Sequence, residues 1–450
     1  MTPPSSGDRG PGLRVMQPIV EFLRLEAASG ILLVACALTA LIWANSIYAS
    51  SYTELWATQV VVAVGSFEIS KPLLLWINDG LMAVFFFLVG LEIKREILVG
   101  ELSDLKSASL PIAAAIGGMV VPAGVYAMLN AGGPGVRGWG VPMATDIAFA
   151  LGVLALIGSR VPLALKIFLA AFAIVDDIGA VLVIALFYTS QIYWAYLAVA
   201  GVILVGLILL NLSGARAPVG YTILGVALWV CFLKSGVHAT VAGVLFAMTI
   251  PARTRMNPDL FVERGRELLK RFDAAGEHGP QVVLNEDRQQ VVHRLERSCQ
   301  DIQMPVERIE NTLHPYVTLG IVPIFALANA GVQLSGPPME LMTSPITLGV
   351  ILGLIIGKPI GITFFSWLAV KIGLAVLPEG VGWRQVFGVG ILGGIGFTMS
   401  LFIAELAFID MEHLTEAKFG ILMASLIAGV VGFLLLKKVP RHRVKPKLGL

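Results

Sequence analysis

The run Val161-Pro-Leu-Ala-Leu-Lys-Ile-Phe-Leu-Ala-Ala-Phe-Ala-Ile-Val-Asp-Asp-Ile-Gly-Ala-Val-Leu-Val-Ile-Ala-Leu-Phe187 decides the fold. As a helix it is about 40 Å long at 1.5 Å per residue, more than the roughly 30 Å of a bilayer's hydrocarbon core. Inside it stand two adjacent carboxylates, Asp176 and Asp177. One ionised carboxylate at the centre of a membrane helix costs about 2.5–3.5 kcal/mol or more, and two neighbours repel each other. Such a pair is a functional site by default, and reversible binding of a proton or a small cation is the chemistry that suits it.

The rest of the chain fits that reading. Of its 450 residues 56% are hydrophobic and only 14% charged, and the mean hydropathy is +0.83. A soluble domain is nearer 25% charged, so the chain is a polytopic membrane protein. Its 48 glycines suit close helix packing in lipid. Cys36, Cys231 and Cys299 show no spacing of a disulfide framework or a metal site. Residues 1–12 read as an unstructured tail without the features of a cleaved signal peptide.

Apolar stretches fall at 28–46, 73–91, 107–129, 141–158, 161–187, 193–212, 219–234, 236–250, 313–333, 344–370, 385–408 and 417–436. About twelve transmembrane helices are expected. Lys and Arg cluster in one set of loops, around Arg24, Lys94 to Lys106, Arg160, Arg216, the 251–311 segment, Lys371 to Arg384 and Lys437 to Lys447. That asymmetry puts both termini in the cytoplasm. Residues 59–70 alternate β-branched residues around Gly65-Ser66 and predict a small outer β-hairpin. A lone hairpin is marginal, so a pairing partner is expected, a second copy being one choice. Within 252–311, Asp259 to Phe272 and Val291 to Ile302 predict amphipathic surface helices.

Few ionisable residues fall inside the spans. They are Asp79, Asp146, Asp176, Asp177, Lys358 and, opening the eighth stretch, His238. A single membrane aspartate can be a hydrogen-bonded packing residue; four carboxylates with one lysine point to a site. Lys358 is the mid-span cation and needs an anionic partner, and Asp176 or Asp177 can supply it. Adjacent helical residues point about 100° apart. One aspartate can therefore hold Lys358 while the other faces a water-filled cavity. Glu405, near the outer end of the eleventh stretch, reads as solvated or snorkelling to the interface.

The fourth and eleventh stretches share helix breakers and polar residues at mid-membrane: Gly140-Val-Pro-Met-Ala-Thr-Asp146 and Gly390-Ile-Leu-Gly-Gly-Ile-Gly-Phe-Thr-Met-Ser400. Interrupted helices in corresponding halves mark a binding site between inverted repeats. Stretches three to five and ten to twelve would be those repeats. Asp146 can answer the positive half-helix ends and Lys358 the negative ones, and Thr145 can add a hydroxyl and a carbonyl ligand.

The chain resembles the NhaA family of sodium/proton antiporters from about residue 20 to residue 436, outside 252–305. The resemblance rests on Asn78-Asp-Gly-Leu-Met-Ala-Val-Phe-Phe-Phe-Leu-Val-Gly-Leu-Glu-Ile-Lys-Arg-Glu96, Ala144-Thr-Asp-Ile-Ala-Phe-Ala-Leu-Gly152, Val175-Asp-Asp-Ile-Gly179, Ser235-Gly-Val-His-Ala-Thr240, Phe325-Ala-Leu-Ala-Asn-Ala-Gly-Val332, Gly357-Lys-Pro359 and Gly394-Ile-Gly-Phe-Thr-Met-Ser400. It implies that Asp176 and Asp177 carry the ion and the proton, with Lys358 bridged to Asp176 and the broken-helix crossing at Thr145 and Asp146. It implies a pH-response region at Glu92, Arg95, Glu96, Glu310 and His314, a pH-linked His238, and a homodimer through residues 59–70. Asn311 stands where some members have a histidine, and the 252–305 insertion is longer than in the best-known members, which puts the pH set point in question.

The expected organisation is a tail and interfacial helix (1–27), spans one and two with the hairpin (28–106), a first core repeat (107–187), spans six to eight (193–250), the cytoplasmic insertion (251–311), span nine (312–335), a second core repeat (344–436) and a basic tail (437–450). Spans one, two and six to eight would form the interface domain. The expected function is an electrogenic antiporter of a bacterial inner membrane, exchanging Na⁺ or Li⁺ for more than one H⁺. No cofactor, nucleic-acid partner or enzymatic activity is expected. The rivals fit less well. A proton-coupled organic-solute transporter would place aromatic or Arg residues at mid-span, an intramembrane aspartyl protease needs aspartates on different helices and a Gly-Asp motif, and a passive channel has no use for Lys358.

Overall fold

The computed structural model describes residues 11–438 except 66, 190, 215–217, 255, 276–285 and 334–337. The tail readings for 1–10 and 439–450 lie outside the described residues. The polytopic helical fold holds. Among the described residues, nine helices are individually long and apolar enough to span: α1 (its apolar part Ala27–Ala44), α2 (Leu73–Val99), α3 (Leu105–Leu129), α5 (Leu163–Phe187), α6 (Trp194–Leu212), α7 (Pro218–Ser235), α9 (Pro305–Asn329), α10 (Pro345–Lys371) and α12 (Met411–Lys438). Two more are bent pairs: α4, made of Pro134–Met143 and Ile147–Ile157 at 42°, and α11, made of Trp383–Gly393 and Phe397–Ala407 at 46°. The eighth apolar stretch yields only the short helix α8, Ala239–Thr249. At 1.5 Å per residue it reaches about 16 Å, half a hydrocarbon core.

Three boundaries differ from the sequence reading. The helix containing α1 runs unbroken from Pro11 to Ala44, with no joint at residue 27. The helix of α9 starts at Pro305, because Pro is tolerated at a first helical position and the amphipathic Val306–Leu313 turn continues straight into the apolar run. The insertion is a helical pair, Pro258–Ala274 against Glu286–Ile302, with Leu268 and Val291 buried and Arg288 5.1 Å over the Phe272 ring.

The hairpin pairs β1 (Gln59–Val64) with β2 (Phe67–Pro72) antiparallel, Val61 opposite Ser70 and Val62 opposite Ile69. Gly65 turns the chain at φ +62, a region open to glycine. Trp76 donates to Val60 O and Lys234 to Glu68 O, so the hairpin is tied to the outer ends of α2 and α7. Asp79 is not the buried carboxylate the sequence reading expected. Its side chain is 23% exposed and lies 2.7 Å from Lys71 of the hairpin, in a π-helical turn, Ile77–Leu81.

The core forms where glycines let helices touch. α3 and α10 cross at Gly117 and Gly361, and a Cβ on either would collide with the other's carbonyl oxygen. α8 packs on α2 in the same way, through Gly90 and Gly243. Lipid offers no hydrophobic gain for bringing helices together, so this close van der Waals approach has to hold them. Gly361→Val is expected to destabilise the detergent-solubilised protein by about 1–3 kcal/mol, the range for overpacking. Gly124→Ala, with open space around its Cβ, should leave the melting temperature unchanged or raise it. Thermal unfolding followed by size-exclusion chromatography distinguishes the two.

Candidate functional site

The broken helices α4 and α11 cross at their interruptions, Ala144–Asp146 and Gly394–Gly396. Their backbones join directly: Asp146 N donates to Ile395 O at 2.7 Å. Each break exposes a positive N-terminus and a negative C-terminus that lipid cannot satisfy. Asp146, only 2% exposed, answers both positive ends. Its Oδ1 accepts from Phe149 N at 2.9 Å, capping the second half of α4. Its Oδ2 accepts from Thr398 N at 3.0 Å and Thr398 Oγ1 at 2.5 Å, at the start of the second half of α11. The negative ends are met in kind. Thr145 Oγ1 donates to Gly393 O at 3.0 Å, and Lys358 Nζ donates to Met143 O. Ser400 donates to Val141 O and Ser425 accepts from Phe397 N.

Lys358 reaches this crossing because α10 is not a regular helix. Gly353–Gly357 is a π-helical turn directly before it, with Gly353 against Pro142 and Gly357 against Pro122. Such a turn rotates the residues after it and recurs at functional sites. Lys358 is fully buried and its Nζ lies 2.9 Å from Asp176 Oδ2. Asp177, one residue on, points elsewhere. It is 2% exposed, its Oδ1 accepts no hydrogen bond, and no ion pair reaches it among the described residues. Asp176, Asp146 and Glu92 all lie within electrostatic range of it, against the single ammonium of Lys358. The arrangement is a buried cluster of carboxylate, hydroxyl and carbonyl oxygens, the ligand types a hard monovalent cation takes at an unwound crossing.

The sequence reading put one aspartate on a water-filled cavity, and the structure differs. A cavity of about 430 Å³ enters between α2, α3 and α5 at the end of α2 that carries Glu96, lined by Glu96, Glu101, Asp104 and Ala171 among others. Asp177 is not among its walls. Ala171 stands six residues before Asp177 on the same helix, about 9 Å short at 1.5 Å per residue. Packing around the crossing closes that gap in this conformation.

The residues assigned to pH response divide. Arg95 bridges Glu310 at 2.8 Å and Glu96 at 2.9 Å, joining α2 to α9. Glu96 also accepts from Glu101 N, so the cluster reaches the cavity rim. Glu92 lies within electrostatic range of Arg95, and His314 within range of Glu310. Asn311 is exposed. His238 is not part of this cluster: at the opposite end of α8, its Nε2 lies 2.7 Å from Tyr188 O.

Several contacts escaped the sequence reading. Thr398 and Ser400 stood in a stretch flagged for its helix breakers and polar residues, but neither was given a partner. Asn78 and Asn329 exchange side-chain hydrogen bonds between α2 and α9. Glu405 is not solvated but lies 2.6 Å from Lys418 on α12, both mostly buried. Lys94 donates to Met248 O and Ile250 O, capping α8.

Thr398→Val removes one hydrogen bond to a buried carboxylate and should cost about 1.5–3 kcal/mol in unfolding assays. Thr398→Ser should restore most of it, and a valine variant as stable as the parent would contradict the proposed cap.

Residues 20–436 match the family described as Na⁺/H⁺ antiporter 1. A protein named Na(+)/H(+) antiporter NhaA from Oleidesulfovibrio alaskensis is 50% identical over 434 residues, covering 96% of each chain. One of the same name from Koribacter versatilis is 51% identical over 425 residues, 94% of this chain and 91% of its own. Another, from Rhodospirillum rubrum, is 48% identical over 433 residues, 95% of this chain and 98% of its own. The chain therefore belongs to the Na⁺/H⁺ antiporter 1 family of membrane transporters and is not an enzyme.

Proposed function

We propose that the chain is an electrogenic antiporter of a bacterial inner membrane that exports Na⁺ or Li⁺ and imports more than one proton per cycle. The observation that carries this reading is Asp177: buried, with no ion-pair partner among the described residues, and with an oxygen that accepts no hydrogen bond. A bare carboxylate in such a place is too costly to persist. It must hold a proton or a cation, and the two exclude each other. Asp176 shares the load with Lys358, whose ammonium loses its counter-charge when a cation draws on the aspartates. Cation entry thus favours proton release, and proton return favours cation release.

Alternating access completes the cycle. The repeats α3–α5 and α10–α12 carry every charged group of the crossing and would move as a core against α1, α2 and α6–α9. The 59–70 hairpin, with a two-stranded edge and no third strand, would join a second copy of the chain. Glu92, Arg95, Glu96, Glu310 and His314 sit where the cytoplasmic cavity begins and would set how pH opens it. Both termini would lie in the cytoplasm.

In everted vesicles reporting proton movement by dye fluorescence, Asp177→Asn should reduce the Na⁺-evoked signal to that of vesicles lacking the protein. A signal equal to the parent's would contradict the mechanism. Competition also fixes a pH dependence. Where the aspartates titrate, one unit higher in pH should lower the apparent KM for Na⁺ by up to about tenfold per displaced proton. An apparent KM flat from pH 6 to 9 would contradict it.

A further inference from the structure

A second concavity lies on the lipid-facing side of the core. It is a groove of about 420 Å³ between α10 and the first half of α11, lined by Ile360, Thr363, Phe364, Trp367, Trp383 and Phe387. Five of its six walls are apolar. Ile360 and Phe364 are half-exposed, as the wall of an unfilled groove would be. Its depth is set by α10. Ile360 to Trp367 precede Lys371, the end of that helix, by four to eleven residues, or about 6–16 Å along the axis. That is acyl-chain depth just beneath the cytoplasmic interface.

The rim of the groove is basic. Lys371 Nζ lies 4.6 Å over the Trp367 ring, and Arg384, exposed, follows the lining residue Trp383. Residues 372–382 between them carry one acidic residue, Glu379. The one polar residue in the wall, Thr363, has its hydroxyl oxygen buried away from the groove, so the surface offered to an occupant is apolar. A phospholipid has the same order along its length as the basic rim and the apolar wall require: an anionic phosphate, then apolar chains.

We propose that this groove is a binding site for one diacyl phospholipid with a net-negative headgroup. The phosphate pairs with Lys371 and Arg384, and an acyl chain lies along Phe364, Trp367 and Phe387. Aromatic residues gather at any membrane interface, where they meet passing lipid without retaining it. Here they line a concave surface with the Lys371 ammonium over one lining ring and the exposed Arg384 next to another lining residue, which favours an anionic lipid. The occupant bridges the helix that carries Lys358 and the helix that carries the second break, so it touches the core at both of its moving parts.

Native mass spectrometry of the full-length protein in detergent, titrated with phosphatidylglycerol or phosphatidylethanolamine of identical chains, tests this. The parent should retain one phosphatidylglycerol at least tenfold more tightly than phosphatidylethanolamine. Lys371→Gln with Arg384→Gln should erase that preference, and Thr363→Phe, which fills the groove, should lose the retained lipid of either kind. Lys106→Gln with Lys437→Gln removes the same charge elsewhere on the cytoplasmic side and should change nothing. Equal retention of the two lipids by the parent, or a preference that survives the double variant, would overturn the proposal. So would variants that alter the monomer–dimer ratio with lipid retention unchanged, which would make the groove a contact between copies.

Discussion

The ion pair between Lys358 and Asp176 is the constraint on which the rest of the site depends. Both groups are sealed from water, with the ammonium 2.9 Å from the carboxylate and also donating to Met143 O. Removing one partner of such a pair costs about 3–5 kcal/mol, because the survivor is left charged and unsolvated. The pair cannot simply open. It can only trade one neutralising arrangement for another, by moving a proton or admitting a cation. Asp177 beside it has no such partner among the described residues, which is why the proposed exchange is assigned to it.

Membrane physics explains why the site takes this form. Irregular backbone at membrane depth is tolerated only where it is buried in protein or lines a cavity. The two breaks satisfy that condition by crossing. Asp146 neutralises two positive helix ends at once, while Thr145 and Lys358 meet the negative ends. The same exposed carbonyls that need capping have the chemistry of cation ligands, so the groups that stabilise the breaks would also supply the proposed site. The glycine crossing of α3 and α10 brings Lys358 to this depth, and the π-helical turn before it sets its direction.

Much of this was legible in the sequence, since hydropathy reports depth. It showed the apolar stretches, the two interrupted ones, and which charges lay at mid-membrane. A lone lysine at that depth also had to find an aspartate. Hydropathy does not report which way a side chain points around its helix. Asp79 was therefore taken for a buried carboxylate, when it is partly exposed and paired with Lys71. Glu405 was taken for a solvated one, when Lys418 comes to it from α12. Thr398 went unread because its role exists only once α4 lies across α11. The closed path between the cavity beside Glu96 and Asp177 belongs to the packing of α2, α3 and α5, which no single stretch encodes.

The central claim is that cation and proton compete for one buried pair of aspartates. Calorimetric titration of the purified protein with Na⁺, repeated in buffers of different ionisation enthalpy, measures it directly. The account predicts that Na⁺ binding releases at least one proton per ion near the pH where exchange is half-active, and that replacing Asp177 with Asn removes both the binding heat and the release. Na⁺ binding with no proton released in any buffer would contradict it.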